Sequence, residues 1–132
     1  MSTSPALQPV LAHALPAPVG PYSPGIIAGT LVFVSGQAGR DPRTGLIAED
    51  VEAQTEQALR NVAAILEAAG SDLSHVVRCG VFLIDMGEFQ KMNAVYARVF
   101  GDHRPARTTV GVSDLPGPGL RVEIDAVAVI RG

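Results

Sequence analysis

The spacing of apolar residues switches between period two and period 3.6 along the chain, and each switch marks an element. Ile26 to Ser35 reads as a hairpin, Ile-Ile-Ala and then Leu-Val-Phe-Val-Ser, with a break at Gly29-Thr30. Gly36 to Gly45 reads as a loop from its turn residues Gly36, Gly39, Asp41-Pro42 and Thr44-Gly45. From Asp50 to Ala69 the period is helical, with Val51, Thr55, Ala58, Leu59, Val62, Ile65, Leu66 and Ala69 on one face, Asp50 as N-cap and Gly70 just past the end. Val76 to Ile84 is a strand rich in β-branched residues. Residues 87 to 100 form a second amphipathic helix, turning Phe89, Met92, Tyr96, Val99 and Phe100 to the core. Arg107 to Val112 and Arg121 to Ile130 are two further strands, separated by Pro116-Gly117-Pro118-Gly119. Residues 1–8 read as a loose, flexible tail ahead of one domain spanning 9–132.

The order β-β-α-β-α-β-β predicts an α+β fold, one mixed sheet with both helices on one face. The last strand is apolar on both faces from Ala126 to Ile130, which suits a central strand or one covered by another subunit. The second face of such a sheet needs a cover, and a partner chain is the natural one. Composition sharpens this expectation, since 47% hydrophobic residues in 132 is more apolar surface than a lone small domain easily hides. A charged fraction of 17% excludes disorder driven by high charge and low hydropathy. No apolar run approaches the roughly 20 residues that cross a bilayer, so no membrane partner is expected. The net charge is −3, and the basic residues are scattered, with only Arg40 and Arg43, and Arg104 and Arg107, moderately close. Without a basic stripe, nucleic acid is not an expected partner. The single cysteine, Cys79, allows no intrachain disulfide and reads as a small core hydrophobe. Met1 to Leu15 has no basic residue ahead of its apolar stretch, which Pro5, Pro9 and Pro16 interrupt. It matches neither a secretory signal nor a transit peptide, and the expected compartment is the cytoplasm.

Nucleophile elbows, phosphate-binding glycine loops and dinucleotide fingerprints do not occur. His13, His75 and His103 are isolated and lack ligand spacing, so no metal site is expected. On the last strand Glu123 and Asp125 share one face, which turns apolar further along. Either this strand end reaches solvent, or Glu123 faces a cleft, needs a cationic neighbour and handles a proton or a water. Arg107 begins the preceding strand after Pro105-Ala106, followed on its own face by Thr109 and Gly111. It is either a solvated strand end or a planar clamp for a small carboxylate. If Arg107 and Glu123 lie on neighbouring strands, they define the two ends of one pocket. Asn93, four residues after Phe89 and three before Tyr96, lies close to the apolar face of the second helix, as a structural hydrogen bonder or a site residue. Tyr22 and Ser35 are uninformative alone. These residues point to a site for a small carboxylate, with or without its hydrolysis.

Together, Gly20-Pro21-Tyr22-Ser23, Val34-Ser35-Gly36-Gln37, Asp41-Pro42-Arg43-Thr44-Gly45, Pro105-Ala106-Arg107-Thr108 and Val122-Glu123-Ile124-Asp125-Ala126 resemble the Rid family of reactive intermediate/imine deaminases, also called YjgF-like. The resemblance runs from about Leu15 to Ile130. It implies a chorismate-mutase-like subunit, a homotrimer with clefts between subunits, and no metal or organic cofactor. It implies hydrolysis of 2-imino acids and their enamines, such as 2-aminoacrylate and 2-iminobutanoate, to 2-oxo acids and ammonia. Such intermediates leave pyridoxal-phosphate enzymes, so the implied role is protection from their damage. Carried over by position, Arg107 is the carboxylate-binding arginine and Glu123 the glutamate that orients water. Tyr22, Ser35 and Asn93 line the cleft, completed by backbone near Gly36 and Thr109. Pro24-Gly25, Thr109 and Asp125 depart from common family residues without touching Arg107 or Glu123. A second reading keeps the same pocket in a module that binds 2-oxo acids without turnover; a third, ribonuclease or translation inhibitor, is a label some members of the family carry, for which this chain has no stacking or phosphate-tracking surface.

Overall fold

A computed structural model describes residues 6–132. Strand β1 (Leu7–Pro9), β2 (Gly25–Ala28) and β3 (Leu31–Ala38) come first, followed by helix α1 (Val51–Ala68) and β4 (Val76–Leu83). Helix α2 (Phe89–Phe100), β5 (Ala106–Gly111) and β6 (Val122–Val129) complete the order. The six strands form one mixed sheet in the order β1-β2-β3-β6-β4-β5, in which only β4 and β5 are parallel, joined through α2. This is the single α+β domain the hydrophobic pattern predicts, with β6 inside the sheet.

Two expectations need correction. Leu7 and Gln8, assigned to the loose tail, pair with Ala28 and Ile27 as part of β1. Their side chains are exposed, so backbone pairing alone holds them. Residues 1–5 lie outside the described residues. The loop expected from Gly36 begins later, because a bulge between Val34 and Gln37 lets the ladder with β6 resume at Gln37–Ile124 and Ala38–Glu123.

Helix α1 starts at Asp50, whose extended backbone and carboxylate, accepting from the Ala53 N–H at 3.0 Å, form the N-cap. It ends before Gly70, whose φ of +85° is a left-handed conformation. Its buried residues Val51, Ala58, Leu59, Val62, Ile65 and Leu66 pack on β3 and β6. Helix α2 adds Met92, Tyr96 and Phe100 to the same core. Val122, Ile124, Ala126 and Ala128 of β6 face these helices and are buried, whereas Glu123, Asp125, Val127 and Val129 face the other way. On that uncovered face Phe33 stands opposite Val127 and is 44% exposed.

Helix α1 approaches the sheet most closely at Gly39. A Cβ there would lie 2.5 Å from the Gln54 Cα and 2.6 Å from the Gln54 carbonyl oxygen. Both are backbone atoms, so the contact is relieved only by shifting the helix. Gly39→Ala is therefore expected to cost about 2–3 kcal/mol, the range of a forced overpacking. This should lower Tm by about 10 °C; an unchanged thermal unfolding curve would contradict the close packing.

Candidate active site

The sequence-derived site residues divide into two groups on opposite faces of the sheet. In the β4–β5 register Arg107 stands beside Cys79 and Thr109 beside Val81. Cys79 and Val81 are fully buried under the helices, so Arg107 and Thr109 turn to that side as well, at the edge strand next to α2. There the Arg107 guanidinium donates from Nη2 to the Asn93 Oδ1 at 2.7 Å. Its carbon lies 4.7 Å from the Tyr96 ring centroid and 5.6 Å from that of Phe89. Aromatic faces thus cover the flat side of the cation, and the amide of Asn93 fixes one corner of its fork. Among the described residues no carboxylate lies within 4.0 Å of Arg107. A half-buried, oriented guanidinium without an acidic partner can receive a carboxylate.

The second group lies on the uncovered face. Glu123 projects beside Gly36, where a Cβ would stand 2.5 Å from the Glu123 Oε1, so only glycine lets this side chain lie along β3. Glu123 and Gly36 border a cleft of about 170 Å³ whose other walls include Leu15, Val19, Tyr22 and Leu120. Ser35 supports that wall from behind. Its hydroxyl donates to the Ser23 carbonyl at 2.6 Å and its N–H to the Pro24 carbonyl at 2.9 Å, holding the segment that carries Tyr22, which is 50% exposed. Burial, and then the charge of Asp125, push the Glu123 carboxyl above its ordinary value of 4.5. Asp125 is itself engaged, accepting the Gly80 N–H at 2.7 Å, with Arg78 at 4.0 Å. Glu123 has no cation within ion-pairing distance among the described residues.

Arg107 and Glu123 of one chain therefore do not bound one pocket, against the expectation that they lie on neighbouring strands. Strand β4 separates β5 from β6, and the two side chains have opposite parity, Arg107 with Cys79 and Glu123 with Phe82. The structure brings together Arg107 with Asn93 on one side, and Tyr22, Gly36 and Glu123 on the other.

Tyr96 and Phe89 pack in and against the core as the sequence pattern predicts, and they also form the platform of the guanidinium. Their signal was the amide of Asn93 set between two aromatics at helical spacing. Tyr96 is 6% exposed, and its hydroxyl has no hydrogen-bond partner among the described residues. Burial, with the Cys79 thiol alongside, raises its pKa far above the usual phenol, so it stays neutral. Because the ring and not the hydroxyl makes the contact, Tyr96→Phe is expected to leave Tm unchanged or slightly raised. The Cys79 thiol beside the hydroxyl is at most a weak hydrogen-bond partner, so losing it offsets only part of the desolvation cost that removing the hydroxyl relieves. A clear fall in Tm would show that the hydroxyl has a partner.

A family model described as endoribonuclease L-PSP matches residues 12–130. A RutC family protein of Pyrococcus horikoshii is 51% identical over 114 residues, covering 86% of this chain and 90% of its own. The 2-iminobutanoate/2-iminopropanoate deaminase of Salmonella typhimurium is 45% identical over 119 residues, covering 88% of this chain and 92% of its own. Among solved structures, TdcF of E. coli with bound serine superposes with a TM-score of 0.88 at 36% identity, covering 94% of this chain and 99% of that one. With sequence, fold and family model in agreement over nearly its whole length, the chain belongs to the Rid (YjgF-like) family.

Proposed function

We propose that this protein is a hydrolytic deaminase of 2-imino acids, converting them to 2-oxo acids and ammonia, with each site built between two copies of the chain in a homotrimer. The observation that carries the reading is the Arg107 guanidinium, held by Asn93 and Tyr96 with no acidic partner of its own. A small carboxylate bound there would sit on the opposite side of the sheet from Glu123 of the same subunit. A neighbouring copy that lays its Glu123 cleft against the β5 edge supplies the missing half. Such packing also covers apolar surface on the open face, including Phe33 and Val110. The name of the Salmonella relative and the serine bound to TdcF support a small amino-acid-like substrate.

The chemistry needs little more than placement. A protonated imine carbon is already electrophilic, so fixing the substrate and one water in line suffices without a covalent intermediate. Arg107 binds the substrate carboxylate. Glu123 of the neighbour takes a proton as the water oxygen bonds to the imine carbon. It then returns that proton to nitrogen, takes up the hydroxyl proton as the C–N bond breaks and the carbonyl forms, and passes it to the departing ammonia, which leaves as ammonium. Protonated imine and water thus give 2-oxo acid and ammonium, with no electrons exchanged. Tyr22 and Gly36 border the cleft in which this occurs, with Thr109 beside Arg107 on the other half.

The test is an imine generated by threonine dehydratase in the presence of semicarbazide. The protein is expected to suppress semicarbazone formation and speed 2-oxobutanoate release. No suppression with this and several other imino acids would remove the deaminase reading and leave a carboxylate-binding site. A ribonuclease reading finds no support in a chain of net charge −3 with scattered basic residues.

A further inference from the structure

The cleft that Glu123 borders is also lined by a second guanidinium, that of Arg40. Arg40 follows the turn at Gly39 and opens the loop that returns at Ile47, where the two residues form a β-bridge. Its carbonyl accepts from the Asn61 Nδ2 at 3.0 Å, which ties its backbone to helix α1. Its Nη1 donates to the Gly45 carbonyl at 2.8 Å, while Nη2 lies 4.0 Å from where a Cβ of Gly117 would stand, beside the cleft wall at Pro116. The neighbouring guanidiniums have carboxylates, Arg43 pairing with Asp41 and Arg121 with Glu88. Arg40 has none within 4.0 Å among the described residues.

We infer that Arg40 selects 2-imino acids whose side chain carries a second carboxylate. The inference rests on the deaminase reading and names a substrate class for that same site. Placing the imine carbon at Glu123 and the first carboxylate at Arg107 of the neighbouring copy leaves the substrate side chain inside the cleft. The cleft is lined by apolar Pro16, Pro18, Val19 and Leu120, and Arg40 is the one cation among its lining residues. An exposed, freely moving arginine contributes little to binding because ordering it opposes the gain. Arg40 is exposed as well, but the Gly45 carbonyl already holds one arm of its fork, so part of that ordering precedes the substrate, and the remaining donors are free for a carboxylate.

The experiment compares two imines made in situ, 2-iminoglutarate from glutamate and a glutamate oxidase with catalase, and 2-iminobutanoate from threonine dehydratase. The readout is the ratio of their kcat/KM values. Arg40→Ala is expected to lower the 2-iminoglutarate to 2-iminobutanoate ratio about tenfold, the weight of one charge-assisted hydrogen bond. Arg40→Lys, which keeps the charge without the fork, should recover part of it, and elution volume and circular dichroism verify that both variants are folded. A ratio that does not move in Arg40→Ala overturns the inference. So does a wild-type protein that hydrolyses 2-iminobutanoate and leaves 2-iminoglutarate untouched, an outcome under which the deaminase reading stands. Hydrolysis of neither imine removes the deaminase reading itself, and the assignment of Arg40 with it.

Discussion

Arg107→Ala is expected to remove imine hydrolysis almost entirely, with a fold that remains intact. The side chain sits on an edge strand and packs on Tyr96 and Phe89 rather than within the closed core, so shortening it opens space at the rim. What is lost is a fork whose orientation is set before substrate arrives, by the 2.7 Å hydrogen bond to Asn93 and the ring of Tyr96 4.7 Å away. A bidentate charged contact of this kind contributes about 2–4 kcal/mol, which corresponds to a fall in kcat/KM on the order of 30- to 1,000-fold. Arg107→Lys separates charge from geometry. The ammonium keeps the attraction but has one point of contact where the guanidinium has two, and it cannot stack flat on Tyr96. Its expected rate lies between those of the wild type and the alanine variant, with most of the loss in KM. The coupled semicarbazide assay reads both. An alanine variant as active as the wild type would mean that the substrate carboxylate binds elsewhere.

How much of this arrangement was legible in the chain depends on how local its causes are. Helix α1 could be read to within a residue because its period, its Asp50 cap and its Gly70 terminator all lie inside the segment. Arg107, Asn93 and Glu123 could be picked out because a guanidinium, an amide and a carboxylate beside apolar runs need partners wherever they fall. Their grouping could not be read. The strands β4 and β5 are consecutive, parallel and joined by α2, whereas β6 inserts on the other side of β4. That order is decided by packing between distant segments. Facing direction depends on the same register, since a shift of one residue in β5 would have turned Arg107 to the open side. Strand β1 left no signal because its side chains are exposed and its pairing involves only the backbone. The bulge at Ser35-Gly36 was hidden for a different reason. Glycine there reads as a turn, while in the structure it makes room for Glu123.

Glu123→Gln is the second large effect, and it separates turnover from binding. The amide has nearly the volume of the carboxylate, so the cleft beside Gly36 keeps its shape, and calorimetry should find 2-oxobutanoate bound about as tightly as by the wild type. Hydrolysis should fall by about 10²–10⁴, the usual contribution of a positioned general base. A variant that still turns over would sink the role of Glu123, and one that binds but does not hydrolyse excludes a pure binding module for the wild type. The pH profile carries the same signature. Water is activated only by the ionised carboxylate, and burial together with Asp125 raises the pKa of Glu123. Activity should therefore be lost as pH falls through a midpoint above the ordinary glutamate value of 4.5. Arg107 and Glu123 of one chain lie on opposite faces of the sheet, so under the proposed inter-subunit site the two inactive variants should complement each other. Mixed by subunit exchange in equal amounts, Arg107→Ala and Glu123→Gln chains form some interfaces in which an intact Arg107 faces an intact Glu123. Random closed assembly makes that roughly a quarter of all interfaces, and roughly a quarter of wild-type activity should return. Activity that stays at the level of the separate variants would overturn the inter-subunit site.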